Sequence, residues 1–190
     1  MKRFITLLAA LGLLAIARAD VETYTIDPVH SSTGFSVRHV LSKFTSSFTK
    51  TTGTITVDRA NLENSSVEAT IEIASLSTAN ADRDKHLQSA DFFDGAKFPT
   101  ATFKSKSWKK TGENTFDVTG DLTIKGVTKE VVLKVSLLGF GPGMRPGTFL
   151  SGWEATTVIN RSDYGVSYGP KILGEEVTVN ISIEAGFKKA

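Results

Sequence analysis

The chain has 190 residues, with 22 Lys and Arg against 20 Asp and Glu, a formal charge of +2 and no cysteine. Without cysteine there is no thiol nucleophile, no thiolate metal site, no disulfide framework and no cysteine-linked lipid anchor. The near balance of charge, with no clustered basic face, excludes a nucleic-acid binder, and the length suits one domain with a sizeable core.

The first segment reads as a targeting signal. Lys2 and Arg3 precede an almost unbroken apolar run from Phe4 to Ile16, and Ala17-Arg18-Ala19 supplies the small-x-small pattern that a signal peptidase accepts. The run is shorter than the roughly 20 apolar residues a membrane helix needs. The expectation is a signal peptide over 1–19, cleavage after Ala19, and an exported domain over 20–190 with no transmembrane segment. Loss of Lys2, Arg3 and Arg18 leaves 19 basic against 20 acidic side chains, a formal charge of −1.

From there the chain alternates. Val67, Ala69, Ile71 and Ile73 share one face; so do Val131, Leu133, Val135 and Leu137, and again Val177, Val179, Ile181 and Ile183. A period of two marks half-buried strands of an antiparallel sheet. Turn signals at Asp27-Pro28, Gly53, 61–64, 111–114 and Lys125-Gly126 separate them. About eight strands are predicted: Glu22–Asp27 running on to His39, Phe44–Asp58, Ser66–Ala74, Thr100–Trp108, Thr115–Ile124, Thr128–Gly139, Trp153–Asn160 and Glu175–Phe187. The glycine-rich stretch Gly139 to Gly152 is predicted as a long mobile loop. Over Ala81 to Phe93 the period of two is lost, and Asn80 can cap one short helix. An eight-stranded sheet with one apolar face either closes into an up-and-down barrel or splits into a sandwich.

Signals for chemistry are few. His30 and His39 are nine residues apart, which on one regular strand puts them on opposite faces, the wrong spacing for a paired metal site. No Gly-x-Ser-x-Gly elbow is present, and the glycines of 139–147 lack the ending of a phosphate loop. The densest charged cluster, Asp82 to His86, lies on the expected helix, where Asp82 and His86 are within reach of each other. No catalytic residue, metal ligand or cofactor is assigned. The remaining signal is apolar: Phe44 and Phe48 form one group, and Phe92, Phe93, Phe98 and Phe103 another.

Four blocks carry a resemblance: Tyr24 to Ser31 continuing through Phe35-Ser36-Val37-Arg38-His39; Arg83 to Asp94 running on to Phe98-Pro99; Gly120 to Lys129; and Arg161-Ser162-Asp163-Tyr164-Gly165. Together, in this order, they resemble the YceI-like family across essentially the whole chain after the signal. The resemblance implies an all-β, extended lipocalin-like barrel with a long internal pocket for polyisoprenoid or related lipids. A long-chain isoprenoid lipid or isoprenoid quinone is the implied partner. The candidate ligand-binding residues are Phe35, Arg38, His39, Phe44, Phe48, Arg83, His86, Leu87, Phe92 and Phe93, while Arg161 and Asp163 are read as a structural ion pair at a turn. Strands of about ten residues, tilted near 40°, give a barrel about 25 Å tall, room for about five extended isoprene units. An apolar mouth would also favour a homodimer. Two rival classes are a lipid-modifying enzyme built on His39 with Arg38 or His86, and a ligand-free structural protein with a filled core.

Overall fold

The alternating segments form eleven antiparallel strands, seen in a computed structural model that describes residues 21–188. The leader expected over 1–19 lies outside the described residues. The strands are β1 (Val21–Ile26), β2 (Ser32–His39), β3 (Ser42–Phe48), β4 (Thr51–Asp58), β5 (Ser66–Glu72), β6 (Leu76–Ser77), β7 (Thr100–Lys110), β8 (Thr115–Ile124), β9 (Val127–Pro142), β10 (Thr148–Asn160) and β11 (Leu173–Lys188). One helix, α1, spans Ala81–Leu87.

Eleven strands make an eight-membered barrel because three of the staves are interrupted. β1 and β2 both pair with β11, at Thr25↔Gly186 and at Ser32↔Ser182, so they are one stave broken at residues 27–31. β4 pairs with β1 and β3 with β2, a second stave broken at Thr49-Lys50. β5 pairs with β4 and β6 with β3, a third stave broken by a 3-10 turn at Ile73–Ser75. The ring closes through the β1–β11 pairing. The eight predicted segments therefore coincide with the eight staves.

The three breaks lie side by side and are held by side chains that replace missing ladder bonds. Ser31 Oγ donates to the carbonyl of Glu184 and accepts from its N–H, both at 3.1 Å. Ser75 Oγ accepts from Lys50 N–H at 3.1 Å and donates to the Glu72 carbonyl at 2.6 Å. Backbone groups that leave the ladder need partners; Ser31 supplies them at the first break, and Ser75 serves both the second and the third. Beyond the breaks the ladder ends at β6, which pairs with β3 but not with β7, so the ring is not closed by hydrogen bonds at that end.

Two expectations are corrected. The stretch 139–152 is mostly strand: β9 runs to Pro142 and β10 begins at Thr148, with Gly139 opposite Gly152 at a bulge. Gly139, Gly141 and Gly152 are ladder positions, and only 143–147, with Gly143 and Gly147 at its ends, form the loop. The helix also ends six residues early, at Leu87. Asn80 does cap it, its side chain accepting from Arg83 N–H at 3.0 Å. At the other end Ser89 Oγ takes the His86 carbonyl at 2.7 Å, and Asp94 and Gly95 N–H turn back to the Ser89 and Gln88 carbonyls. The chain coils back on itself there, with Asp94 in the left-handed region (φ 50°).

The barrel interior is divided. At the β1 end, Trp108 and Trp153 meet edge to face at 5.6 Å, with Phe116 and Phe140 against them at 5.8 and 5.9 Å. Tyr24, Phe140 and Phe187 close the bottom. Such aromatic contacts add to the large area these side chains bury. This half of the barrel is a filled core. Gly120 permits it, because a Cβ there would come within 2.5 Å of the Phe103 ring.

Candidate functional site

The other half, where the ladder is unclosed, encloses a cavity of about 620 Å³. That lies within the ordinary range of small-molecule sites, about 300–1,000 Å³. The same strands serve both halves. On β11, Val177 and Val179 face the cavity while Ile181, Ile183 and Ala185 pack against the aromatic core; on β8, Leu122 and Ile124 face the cavity while Phe116 and Val118 do not. Leu122 and Tyr164 belong to both and form the floor.

Nine of the ten sequence-predicted residues reach this space: Phe35 and His39 on β2, Phe44 and Phe48 on β3, Arg83, His86 and Leu87 on α1, and Phe92 and Phe93 in the coil behind it. Phe35, Phe48 and Phe93 form an aromatic wall, with ring centroids 5.5 to 6.4 Å apart. The early end of α1 makes this geometry, since on one continuous helix Phe92 and Phe93 would diverge by about 100°. Arg38 is the exception. It alternates with Val37 and His39, faces outward, and donates to the Val40 carbonyl at 2.6 Å. The alternation of β2 is the signal that separates it from its neighbours.

Sequence reasoning missed a second set. Ile71, Ile73 and Ala101 line one wall, and Ile159, Val166 and Leu173 another. These apolar positions look the same in sequence whether they face a void or a packed core.

The ionisable groups in the wall are Lys43, Arg83, Arg161, His39, His86 and the phenols of Tyr164 and Tyr168, and among the described residues no carboxylate lines the cavity. Arg83 is locked by Nε to Thr78 Oγ1 at 2.9 Å and by Nη2 to the Thr78 carbonyl at 2.8 Å, and its guanidinium carbon lies 4.6 Å over the Phe44 ring. His86 bonds to Asp91 at 3.0 Å rather than to Asp82, and stacks edge-on against Phe92 and Tyr168 at 5.1 and 5.0 Å. The ion pair expected between Arg161 and Asp163 is not formed: Arg161, 6% exposed, pairs instead with Glu175 of β11 (3.1 Å), and Asp163 is exposed. Tyr164 is buried, its hydroxyl makes no bond to a protein group, and burial, aided by the Asp163 charge, pushes its pKa up to about 12.

His30 lies elsewhere. It sits on the outer surface at the break between β1 and β2, its Nδ1 2.9 Å from Asp27 and 3.9 Å from Glu184. These three side chains bring ligand-capable atoms within 4.8 Å of one another. His39 lies apart from it, in the cavity wall.

The fold and site define a class: a closed antiparallel barrel holding an apolar, cation-rimmed cavity open at one end. Residues 24–185 match the YceI-like domain, and the chain belongs to that family. It is 39% identical over 185 residues to a UPF0312 protein of Pseudomonas syringae pv. syringae (95% of each chain), and 37% identical over 180 residues to one from Azotobacter vinelandii (92% and 93%). Among solved structures, Burkholderia cenocepacia BcnA superposes with a TM-score of 0.74 at 25% identity, covering 84% of this chain and 99% of that one. The Campylobacter jejuni YceI protein gives 0.71 at 34% identity, covering 79% and 88%. A polyisoprenoid-binding domain from Saccharophagus degradans shares the fold, with a TM-score of 0.65 at 16% identity, covering 88% and 98%.

Proposed function

We propose that this protein is exported to the periplasm, where it holds one long-chain isoprenoid lipid or isoprenoid quinone for transport, storage or sequestration. The observation that carries the reading is the 620 Å³ cavity, apolar in most of its wall, cationic where it is charged, and free of carboxylates. About ten buried methylenes contribute roughly 8 kcal/mol, equivalent to micromolar binding before ordering costs are deducted. A phosphate, carboxylate or quinone carbonyl at the ligand's head would find donors in Arg83, Lys43 and His39. The barrel of Saccharophagus degradans that binds polyisoprenoid supports the ligand class. Binding is favoured over catalysis because Arg38 faces away from His39, and His86 is bonded to Asp91.

Native mass spectrometry and solvent extraction of protein purified from its host test this. A prenyl lipid is expected at one per chain, and Val179→Trp, which adds bulk into the void, is expected to lose it while remaining folded. Protein recovered without lipid that also fails to take up prenyl alcohols or quinones would overturn the reading.

A further inference from the structure

The lip of the cavity is apolar where it meets water. The two-residue turn between β2 and β3 is Val40-Leu41, with Leu41 97% and Val40 47% exposed, and beside it Tyr168 and Ile172 are each 44% exposed. The four belong to one surface. Val40 N–H donates to the Ile172 carbonyl at 2.8 Å, and Tyr168 leads into the turn at Gly169 whose carbonyl accepts from Ile172 N–H at 3.0 Å. Tight hairpin turns ordinarily use Asn, Asp or Gly. Here a β-branched valine is held at φ 50°, a conformation rare for its type, with a fully exposed leucine after it. Neither turn propensity nor solubility accounts for that choice.

Charge says what covers the surface. The segments 38–43 and 164–173 carry Arg38, Lys43 and Lys171 and contain no carboxylate. Helix α1, which abuts the lip where His86 meets Tyr168 at 5.0 Å, is mixed, with Asp82 and Asp84 against Arg83 and Lys85. A second copy docked across a two-fold axis would set the lip's like charges against each other, which an anionic surface would not. Apolar and aromatic side chains flanked by Lys and Arg are the composition that lies at a lipid interface.

Resting on the lipid-binding reading above, we propose that the Val40-Leu41/Tyr168-Ile172 lip is a docking surface that seats the cavity mouth on a bilayer rich in anionic phospholipid. The cargo then enters or leaves without crossing water.

The test uses protein purified from its host and vesicles of phosphatidylcholine with or without phosphatidylglycerol. Co-sedimentation is expected only with the anionic vesicles, weakening as salt rises. Leu41→Asp and Lys171→Glu, neither in the cavity wall, are each expected to lower vesicle partitioning about tenfold or more. Both should leave uptake of farnesol from solution unchanged. Equal sedimentation of wild type and variants, or none of the wild type, would overturn the proposal. So would a dimer in light scattering that Leu41→Asp dissolves, which would make a second copy the occupant. Failure of wild-type farnesol uptake with vesicle binding intact would instead count against the cargo, leaving the docking surface standing.

Discussion

The guanidinium of Arg161 donates to the backbone carbonyl of Tyr168 at 2.8 Å, so a buried cation holds the loop that carries an exposed aromatic to the cavity lip. The same group also donates to the carbonyls of Val166 (2.9 Å), Gly174 (2.8 Å) and Leu173 (3.4 Å) and to Glu175 (3.1 Å). One planar fork thereby organises a loop that has no secondary structure of its own beyond a single 3-10 turn at Arg161–Tyr164.

Arg161→Lys should therefore behave as a severe change. A lysine has three donors on one atom and cannot reproduce a fork that serves five acceptors. Each buried carbonyl left without a donor costs about 1–3 kcal/mol, so a loss of at least 3 kcal/mol is expected in denaturant melts. Faster amide exchange at residues 165–173 should accompany it. A variant with unchanged midpoint and protected loop would show that the carbonyls find other partners.

The pair Asp27 and His30 gives a pH dependence. The Asp27 carboxylate accepts from His30, which raises the imidazole pKa above its ordinary 6.5 and lowers that of Asp27 below 3.8. Protonated His30 favours the folded state fully below pH 6.5, and that contribution is lost as pH rises through its folded pKa. Ionised Asp27 does so above pH 3.8, and its contribution is lost as pH falls through its folded pKa. Both act together only between about 3.8 and 6.5. In Asp27→Asn the His30 titration followed by NMR should move down toward 6.5, and in wild type the shift should shrink with salt, since both groups face solvent. No movement in the variant would leave Glu184 as the cause.

How much of this was legible follows from what alternation records. It located all eight staves, because inward and outward positions differ chemically along every one. It did not locate the breaks at 49–50 and 73–75, where serine and threonine read as ordinary strand residues. Beyond those breaks the ladder is unclosed, and that is the end that holds the cavity. Glycine was over-read: Gly139, Gly141 and Gly152 sit in ladders. Phe92 and Phe93 were identified through the family blocks, whereas Val177 and Val179 read as core, since facing a void leaves no mark on a valine. Arg38 was placed with its motif although its own strand parity points it outward.

Tyr164→Phe should stabilise the protein. The buried hydroxyl has no hydrogen-bond partner among protein groups, and leaving such a group unsatisfied costs about 1–3 kcal/mol. The ring, which packs on the core and forms part of the cavity floor, is retained. A rise in melting temperature of about 2–4 °C per kcal/mol recovered is expected for a chain of this size. A fall instead would mean that the hydroxyl is held by an ordered water, and the variant's calorimetric enthalpy would drop with it.

The aromatic core sets a limit on the ligand's length. A pocket running the full barrel would take about five isoprene units, but one that stops at Leu122 and Tyr164 takes roughly half that, two to three. Affinity in a series of prenyl alcohols should therefore climb with each added unit and then level off once the chain meets this floor, because further carbons remain in water and bury nothing. Leu122→Ala removes part of the floor. It should cost about 2–5 kcal/mol of stability and move the plateau to longer chains. If affinity in the wild type rises without levelling, the chain must leave through the mouth along an apolar path, and the lip around Leu41 is where it would lie. If Leu122→Ala weakens folding but leaves the plateau in place, then the stop is lower, at the Trp108–Trp153 pair, and the two tryptophans rather than the leucine measure the chain.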